Sequence, residues 1–287
     1  MAEHYLNHAQ LKAELERCLQ CANKPCMHAC PARCRPQTFI QQAKEGNVLA
    51  SAETIMADNP LGETCGLICP DKFCMKACTR TKLDFPVNIP KIQATLVKNA
   101  HTLLKPVSVR ANGYRVAVIG AGPAGLGAVD VLSRQGFTVE IFEALNRCGG
   151  ALNMIPETRL PVCAVQHDAE YVLSRPNVRI TYQTQIENPL DLLKRFDGVI
   201  VATGEPHILP LHIEGEALAI PYNTYLLNPT RYATKGKVAI VGGGNVATDC
   251  ALTAQANGAE YVEMFVRRRL CDMRISSQEY VALLQHE

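Results

Sequence analysis

The first hundred residues carry apolar side chains at helical spacing in four stretches, which are separated by loops that contain cysteine. The four stretches read LKAELERCLQC, PQTFIQQAKEG, ASAETIMADNP and NIPKIQATLVKNAHTLL. Apolar residues that recur every three or four positions give a helix one apolar face, which can pack against its neighbours. No strand-like pattern occurs before Tyr114. The pattern therefore predicts an α-helical domain over residues 1–110, with a linker at 106–113.

A different pattern begins at Arg115. The apolar run RVAVIG ends in a glycine-rich turn, and a helical stretch from Gly125 to Gln135 and a second strand, TVEIFE, follow it. DGVIVATG predicts another strand, and KVAIVGGGNVATDCALTAQANGAEYVEMFVRRR repeats the order of strand, turn, helix and strand. Strands that alternate with helices indicate parallel α/β units. We therefore expect two such domains in tandem, over residues 111–234 and 235–287.

The composition is that of an ordinary globular protein. The 287 residues are 47% hydrophobic, and the mean hydropathy is −0.02. The 29 basic and 27 acidic residues leave a net charge of +2 without a basic stripe, so no nucleic-acid partner is expected. The N-terminus has no apolar signal core, and the longest apolar stretch, Val116 to Val129, is broken by Gly and Pro. We therefore expect a cytoplasmic protein without membrane insertion.

Nine of the 13 cysteines lie between Cys18 and Cys78, in two groups. The first group contains five cysteines, the second contains four, and each has one cysteine followed by proline. In ferredoxins with two clusters, a short cysteine run wraps one cluster, while its last cysteine binds the other. The spacing therefore predicts two iron–sulfur clusters with crossed ligands. Structural zinc is the alternative, although zinc sites usually leave few spare thiols.

The turn GAGPAG is a dinucleotide fingerprint in the expected context. Gly120, Gly122 and Gly125 follow a predicted strand and open a predicted helix. Glu143 ends the next strand, close to the spacing expected for an acid that binds a ribose hydroxyl. Glycines allow the backbone to approach a pyrophosphate, which the helix N-terminus attracts. The first α/β unit is therefore predicted to be Rossmann-like.

The second turn, GGGNVA, has the GxGxxA form at Gly242, Gly244 and Ala247. The strand after it ends in Arg267, Arg268 and Arg269, where an NAD-binding unit would carry an acid. Arginines attract a 2′-phosphate, so NADPH is favoured over NADH. The alternative interpretation is that these are solvated charges at a strand end. Two different nucleotide units predict an enzyme with two cofactors, a flavin dinucleotide and a nicotinamide dinucleotide.

The order of these motifs, with DNPLGETCGLICP and GGALNMIPETRLP between them, closely resembles one family. Its members are the small subunit of NADPH-dependent glutamate synthase and the N-terminal half of dihydropyrimidine dehydrogenase, and the resemblance covers nearly the whole chain. It implies electron transfer between NADPH, FAD and two 4Fe-4S clusters. It also implies a partner oxidoreductase subunit or domain that holds the substrate site. The chain itself is expected to position cofactors, without a catalytic acid, base or nucleophile.

The resemblance implies a ligand set for each cluster. One cluster would be held by Cys18, Cys21, Cys26 and Cys78. The other would be held by Cys30, Cys69, Cys74 and Gln93. Without the resemblance, Gln93 would be interpreted as a polar helix residue. Cys34 and Cys65 are left over, and packing is the role expected for them.

The resemblance also implies the nucleotide-binding residues. Those for FAD are Gly120, Ala121, Gly122, Pro123, Ala124, Gly125, Glu143 and Arg159. Those for NADPH are Gly244, Asn245, Val246, Ala247, Arg267, Arg268 and Arg274. Asn245 is a departure, because relatives usually have an acid there.

A larger departure is that the sequence stops at Glu287, within the second α/β unit. We therefore expect either a truncated product or one part of a split system, and two alternative functions remain open. One is a non-catalytic relay or docking subunit that binds clusters and nucleotide, and the other is a zinc-stabilised nucleotide sensor. His167, His207 and His212 are expected to be surface or loop residues, no histidine is assigned a role, and Cys148 is expected to pack.

Overall fold

A computed structural model describes residues 4–204, 208, 210–273 and 275–284. The chain divides into two compact units. The first comprises Met1–Leu152 and Glu157–Gly204, and the second comprises Asn153–Pro156 and Glu205–Glu287. The division into three domains at residues 110 and 234 stays a prediction.

The first unit begins with six helices, which form the helical domain. Their bounds are α1 (His8–Glu16), α2 (Pro25–Ala29), α3 (Pro36–Lys44), α4 (Val48–Asp58), α5 (Gly62–Ile68) and α6 (Ile89–Ala100). The apolar faces of α1, α3, α4 and α6 meet in one core, where Phe39, Ile40 and Ile92 are fully buried. Asn7, Asn47 and Asn88 cap α1, α4 and α6, because each side chain accepts a hydrogen bond from an otherwise unpaired helix N–H.

The same unit continues into a parallel four-stranded sheet. Its strands are β1 (Arg115–Ile119), β2 (Thr138–Phe142), β3 (Val178–Thr181) and β4 (Gly198–Val201), in the order β3-β2-β1-β4. Helices α7 (Pro123–Arg134) and α8 (Val162–Leu173) make the crossovers from β1 to β2 and from β2 to β3. The strand order reverses between β1 and β4. Ligands of such sheets bind where the order reverses, beyond the carboxyl ends of the strands.

The second unit contains a two-stranded parallel sheet. Its elements are α9 (Tyr222–Leu227), β5 (Lys237–Val241), α10 (Asn245–Ala256), β6 (Tyr261–Phe265) and α11 (Ser277–Leu284). The pairing runs in register from Lys237 opposite Tyr261 to Val241 opposite Phe265. Helix α10 connects the two strands and buries Cys250, Ala251 and Ala254.

The fold class predicted from the sequence is confirmed: a helical domain precedes two Rossmann-like strand–helix–strand units. The four predicted helices of the first domain correspond to α1, α3, α4 and α6. Helices α2 and α5 and strand β3 lacked a clear sequence pattern, because each is only four to seven residues long. Within the described residues, none of the helices combines the length and the apolar character that a membrane crossing requires.

Candidate functional site

Four cysteines line one cavity in the helical domain. They are the four that the family resemblance assigns to one cluster: Cys18, Cys21, Cys26 and Cys78. Cys18 follows α1, Cys26 lies in α2, and Cys78 precedes a short 3₁₀ turn, so residues 60 positions apart are brought together. In the described part of the chain, no three His, Cys, Asp or Glu side chains are close enough to hold a single ion. The thiols therefore surround a space rather than meet at a point, and a set of four thiolates suits an iron–sulfur cluster.

The local backbone places these thiols. Lys24 takes a left-handed conformation, with φ at 46°, and Pro25 then begins α2. Proline suits the first turn of a helix because its φ is already helical and it lacks the N–H that would stay unpaired there. Burial raises the pKa of Cys18, and it raises the pKa of Cys26 to about 11. A metal centre must displace protons from such thiols, so its binding depends on pH.

The cysteines outside the first cavity include two interacting pairs, Cys30 with Cys34 and Cys65 with Cys69. A side-chain interaction with Cys34 lowers the pKa of Cys30, and one with Cys65 lowers the pKa of Cys69. Burial, followed by the nearby charges of Cys30 and Cys26, raises the pKa of Cys74 to about 12. The charge of Cys74 also acts on the pKa of Cys69. Three predicted ligands of the second cluster therefore lie in one neighbourhood, together with Cys34 and Cys65.

Gln93 is the fourth predicted ligand of that cluster. It lies in α6, is only 7% exposed, and donates a hydrogen bond from Nε2 to the carbonyl oxygen of Gly62 over 2.7 Å. The amide is therefore held by its nitrogen, and iron ligation through its oxygen stays a prediction.

Close packing of α5 against α6 brings Gln93 of α6 near α5, the helix that contains Cys65. A Cβ at Gly66 would lie 2.6 Å from the backbone nitrogen of Ala94 and 2.7 Å from the carbonyl oxygen of Pro90. Real Cβ atoms do not approach backbone so closely, so only glycine permits this helix spacing. Gly66 stands between Cys65 and Cys69 in the sequence. The close approach of α5 and α6 at Gly66 therefore brings Gln93 near the helix that contains Cys65.

The first glycine-rich turn has the shape of a nucleotide cradle. Gly120 has a φ of 103°, and a Cβ there would lie 2.5 Å from the carbonyl oxygen of Ala202 after β4. A Cβ at Gly125 would lie 1.9 Å from the carbonyl oxygen of Gly120. Gly122 caps α7, and Pro123 and Ala124 begin the helix. The turn stands where the strand order reverses, with the first amides of α7 directed toward it, which suits a pyrophosphate.

Glu143 closes this turn from the end of β2. Its Oε2 accepts a hydrogen bond from the Ala121 N–H over 2.7 Å, and its Oε1 accepts one from the Leu145 N–H over 2.8 Å. The residue is 6% exposed. Each carboxylate oxygen has a second lone pair, so the acid can hold the turn and still accept from a ribose hydroxyl. Arg159 is half-buried in the turn before α8, and its role at the flavin stays a prediction.

The second glycine-rich turn begins α10. Gly244 is the N-cap, and Asn245, Val246 and Ala247 form the first helical turn. The Oδ1 atom of Asn245 is buried and has no hydrogen-bond partner among the described residues. A buried acceptor without a partner is costly and calls for a donor from a ligand or from water. The turn is therefore compatible with a dinucleotide, and the contact between that ligand and the amide of Asn245 stays a prediction.

Three exposed arginines follow β6. Arg269 is paired with Asp272, Nε to Oδ2, over 2.7 Å. Arg267 and Arg268 form no ion pair with any described residue. Arg274, the third arginine assigned to the 2′-phosphate, lies outside the described residues. Two unpaired guanidinium groups therefore stand at the strand end that normally meets the ribose of the nucleotide.

A buried polar network links α5 to α8, and sequence patterns did not reveal it. Glu63 has no exposed surface, and it accepts a hydrogen bond from the Tyr5 hydroxyl over 2.5 Å and pairs with Nδ1 of His167 over 2.9 Å. The ring of His101 stacks on that of His167, with centroids 3.8 Å apart. His167 was expected to be a surface or loop residue, and the structure places it half-buried in α8, in contact with Glu63. The sequence signal for this network was Glu63, an acid within the cysteine-containing segment DNPLGETCGLICP, and it has no motif that indicates burial.

Cys148 contacts Tyr182, with 3.2 Å between its Sγ and the phenol oxygen. Burial raises the pKa of its thiol. A thiol with a raised pKa is a poor nucleophile, so this environment agrees with the packing role expected for Cys148.

A cysteine-rich helical domain in front of two glycine-rich nucleotide turns defines an iron–sulfur flavoprotein of the pyridine nucleotide-dependent oxidoreductases. Family comparison agrees. Residues 1–103 match the family described as dihydropyrimidine dehydrogenase domain II, 4Fe-4S cluster. Residues 114–286 match the pyridine nucleotide-disulphide oxidoreductase family. The chain belongs to the latter family and carries the former domain at its N-terminus.

Similar proteins share this arrangement. The NAD-dependent dihydropyrimidine dehydrogenase subunit PreT of Escherichia coli is 33% identical over 94% of this chain and 68% of its own length. The glutamate synthase (NADPH) small chain of Escherichia coli is 31% identical over 90% of this chain and 60% of its own. The resemblance inferred from the motifs is therefore confirmed.

Among solved structures, a complex of 2-naphthoyl-CoA reductase is similar to this chain. The match covers 88% of this chain and 39% of the reductase chain. Its TM-score is 0.51 at 17% identity, which shows the fold alone. Since both parts of this chain match their families, it is an NAD(P)H-dependent electron-transfer oxidoreductase whose cofactors are FAD and 4Fe-4S clusters.

Proposed function

We propose that this chain takes electrons from NADPH through FAD and passes them, through two 4Fe-4S clusters, to a partner oxidoreductase subunit that holds the substrate site. The observation that carries the proposal is the cavity lined by Cys18, Cys21, Cys26 and Cys78. Four thiols around one cavity, in a chain that also carries two glycine-rich nucleotide turns, support the proposal. The relatives named above are themselves described as a subunit and a small chain, which supports a partner.

The residues supply binding and orientation. The turn at Gly120 and the N-terminus of α7 would hold the FAD pyrophosphate, and Glu143 would hold the ribose. The turn at Gly244 and Asn245 would hold the nicotinamide dinucleotide. When bound, the flavin accepts electrons in pairs and the clusters carry them singly, so the chain converts a two-electron donor into a one-electron supply.

NADPH is preferred to NADH in this proposal because Arg267 and Arg268 are exposed and unpaired among the described residues. Guanidinium groups bind phosphate through charge-assisted hydrogen bonds, which a ribose hydroxyl cannot match. One relative is described as NAD-dependent and another as NADPH-dependent, so membership of the family alone does not fix the choice.

The test is anaerobic purification of the chain, followed by analysis of iron, sulfide and flavin and rapid mixing with NADPH or NADH. We expect about eight iron atoms per chain from two 4Fe-4S clusters. We expect flavin absorbance to fall first with NADPH, and cluster absorbance to fall after it. A chain that holds iron but takes up no FAD would instead be a relay subunit. Zinc in place of iron and sulfide would exclude the proposal.

A further inference from the structure

The peptide bond between Gly62 and Glu63 is hydrogen-bonded at both ends by buried side chains. Its carbonyl oxygen accepts a hydrogen bond from Nε2 of Gln93 over 2.7 Å. Its N–H donates to Oδ1 of Asp168 over 3.2 Å. Gln93 lies in α6 of the helical domain, whereas Asp168 lies in α8 of the α/β part of the same unit. One peptide group therefore connects an acid of the nucleotide-binding domain to a proposed cluster ligand.

Asp168 is held in one orientation. It is 1% exposed, and its second oxygen, Oδ2, accepts a hydrogen bond from the Thr64 N–H over 2.8 Å. Burial raises the pKa of this carboxyl to about 8, and the two backbone N–H groups oppose that shift. A buried acid with two backbone donors cannot turn away without leaving those donors unpaired, which is costly.

We infer that Asp168 is a positioning residue for the second cluster and acts on Gln93 through the Gly62–Glu63 peptide. An acceptor at the N–H end of a peptide and a donor at its carbonyl end both align with the peptide dipole, so each strengthens the other. Partners of a metal ligand fix its orientation and adjust its basicity. The inference rests on the proposed ligation by Gln93.

The effect on Gln93 follows from the amide group. Donation from Nε2 to a polarised carbonyl increases the electron density on Oε1, because the two atoms share one delocalised system. Oε1 is the atom proposed to bind iron, and a more electron-rich ligand favours the oxidised cluster. Asp168 therefore keeps the amide oxygen directed at the second cluster and holds the reduction potential of that cluster down.

The test is Asp168→Asn in the full chain with both clusters present. Asparagine has one oxygen in place of two, so one of the two backbone N–H groups loses its acceptor. We expect the second cluster to show a higher midpoint potential and an altered electron paramagnetic resonance spectrum. The first cluster, for which four cysteine ligands are proposed, should keep its midpoint potential and its spectrum, so it serves as the internal reference. An unchanged second cluster would overturn the inference.

An ionised Asp168 would also act on the cluster through space, and the Gln93→Cys background separates the two effects. A cysteine that binds iron does so as a thiolate, which has no proton to donate to the Gly62 carbonyl. If Asp168 acts through Gln93, then Asp168→Asn shifts the potential in the native background and not in the Gln93→Cys background. Equal shifts in both backgrounds would overturn the inference in favour of simple charge removal.

The matched control is Asp130→Asn. Asp130 is also a buried acid of the nucleotide-binding domain, and it pairs with Arg134, whose guanidinium donates to the carbonyl oxygens of Met56 and Ala57 in the helical domain. It has the same kind of structural role without the connection to Gln93. We expect Asp130→Asn to lower stability and to leave the potential of the second cluster unchanged. A shift equal to that of Asp168→Asn would contradict a specific role for Asp168.

Hydrogen exchange provides a test that retains Asp168. If the two hydrogen bonds on the peptide strengthen each other, Gln93→Cys speeds exchange of the Glu63 amide, which faces Asp168. Unchanged exchange would overturn the coupling even if Asp168→Asn fails to fold. Failure of the proposed function is recognised separately in the unsubstituted chain, which would then take up no FAD or would contain zinc in place of iron and sulfide.

Discussion

Glu143 accepts a hydrogen bond from the backbone N–H of Ala121 over 2.7 Å, and this bond ties the end of β2 to the glycine turn after β1. The two residues are 22 positions apart. The acid that the fingerprint assigns to the ribose therefore also fixes the shape of the turn that meets the pyrophosphate. Its second oxygen accepts from the Leu145 N–H, two residues further along, so the carboxylate holds the loop after β2 as well as the glycine turn.

Glu143→Gln is expected to weaken FAD binding by about tenfold or more and to lower stability. A glutamine has one acceptor oxygen, so one of the two backbone N–H groups would face an NH₂ group, and an unpaired buried donor costs about 1–3 kcal/mol. Flavin fluorescence titration and thermal unfolding measure the two effects. Glu140→Gln, within β2, is the control, because the pairs that Glu140 forms with Arg115 and Arg195 are 3.9 Å long. Equal FAD affinity for both variants would contradict the double role of Glu143.

Two glycines of α7 provide a matched pair for the turn. Gly125→Ala would place a Cβ 1.9 Å from the carbonyl oxygen of Gly120, so the helix would have to move away from the turn. Gly127→Ala meets nothing within 4 Å and should raise helix stability by about 0.5–1 kcal/mol. We expect Gly125→Ala to lose FAD and Gly127→Ala to keep it, as measured by the flavin content of purified protein. FAD retained in Gly125→Ala would show that the turn tolerates displacement.

The sequence predicted the parts of this fold that depend on local patterns. Glycine spacing and apolar runs identify β1, α7, β5 and α10 because the chemistry of the turn restricts residue type at each position. The contact between Asp168 and the Glu63 N–H was not predictable, since it joins residues 105 positions apart through an ordinary acid in an amphipathic helix. The crossing of α5 and α6 depends on Gly66, a single residue without a motif.

The four thiols at the first cavity predict that removing one of them causes loss of the first cluster alone. Cys78→Ser should remove the first cluster and retain the second, so the iron content should fall from about eight to about four atoms per chain. Iron and sulfide analysis, with electron paramagnetic resonance of the reduced protein, measures the change. Cys163→Ser is the control, because Cys163 is an exposed cysteine in α8. Loss of both clusters in Cys78→Ser would indicate that the two sites fold as one.

The arginines after β6 predict the nucleotide preference. Arg267→Ala and Arg268→Ala should each raise the KM for NADPH by about tenfold or more, because a hydrogen bond to a charged group contributes about 1.5–3 kcal/mol. The KM for NADH should change little. Arg269→Ala is the control, since Arg269 is already paired with Asp272. Steady-state reduction of a dye at varied nucleotide measures both constants. A parallel rise for NADPH and NADH would assign these arginines to general attraction of the nucleotide.

Asp168 also predicts a pH dependence of stability. Burial raises the pKa of its carboxyl from an ordinary value of 3.8 to about 8 in the folded chain. Between these values the folded state binds more protons than the unfolded state, so the contribution of Asp168 to the free energy of unfolding falls as the pH rises from about 4 to about 8. Other groups also titrate, so the quantity to compare is the difference between the unsubstituted chain and Asp168→Asn in denaturant unfolding at several pH values. As the pH rises, the free energy of unfolding of the unsubstituted chain should fall relative to that of Asp168→Asn. A constant difference would mean that Asp168 is ionised in the folded chain throughout this range, held so by the N–H groups of Glu63 and Thr64.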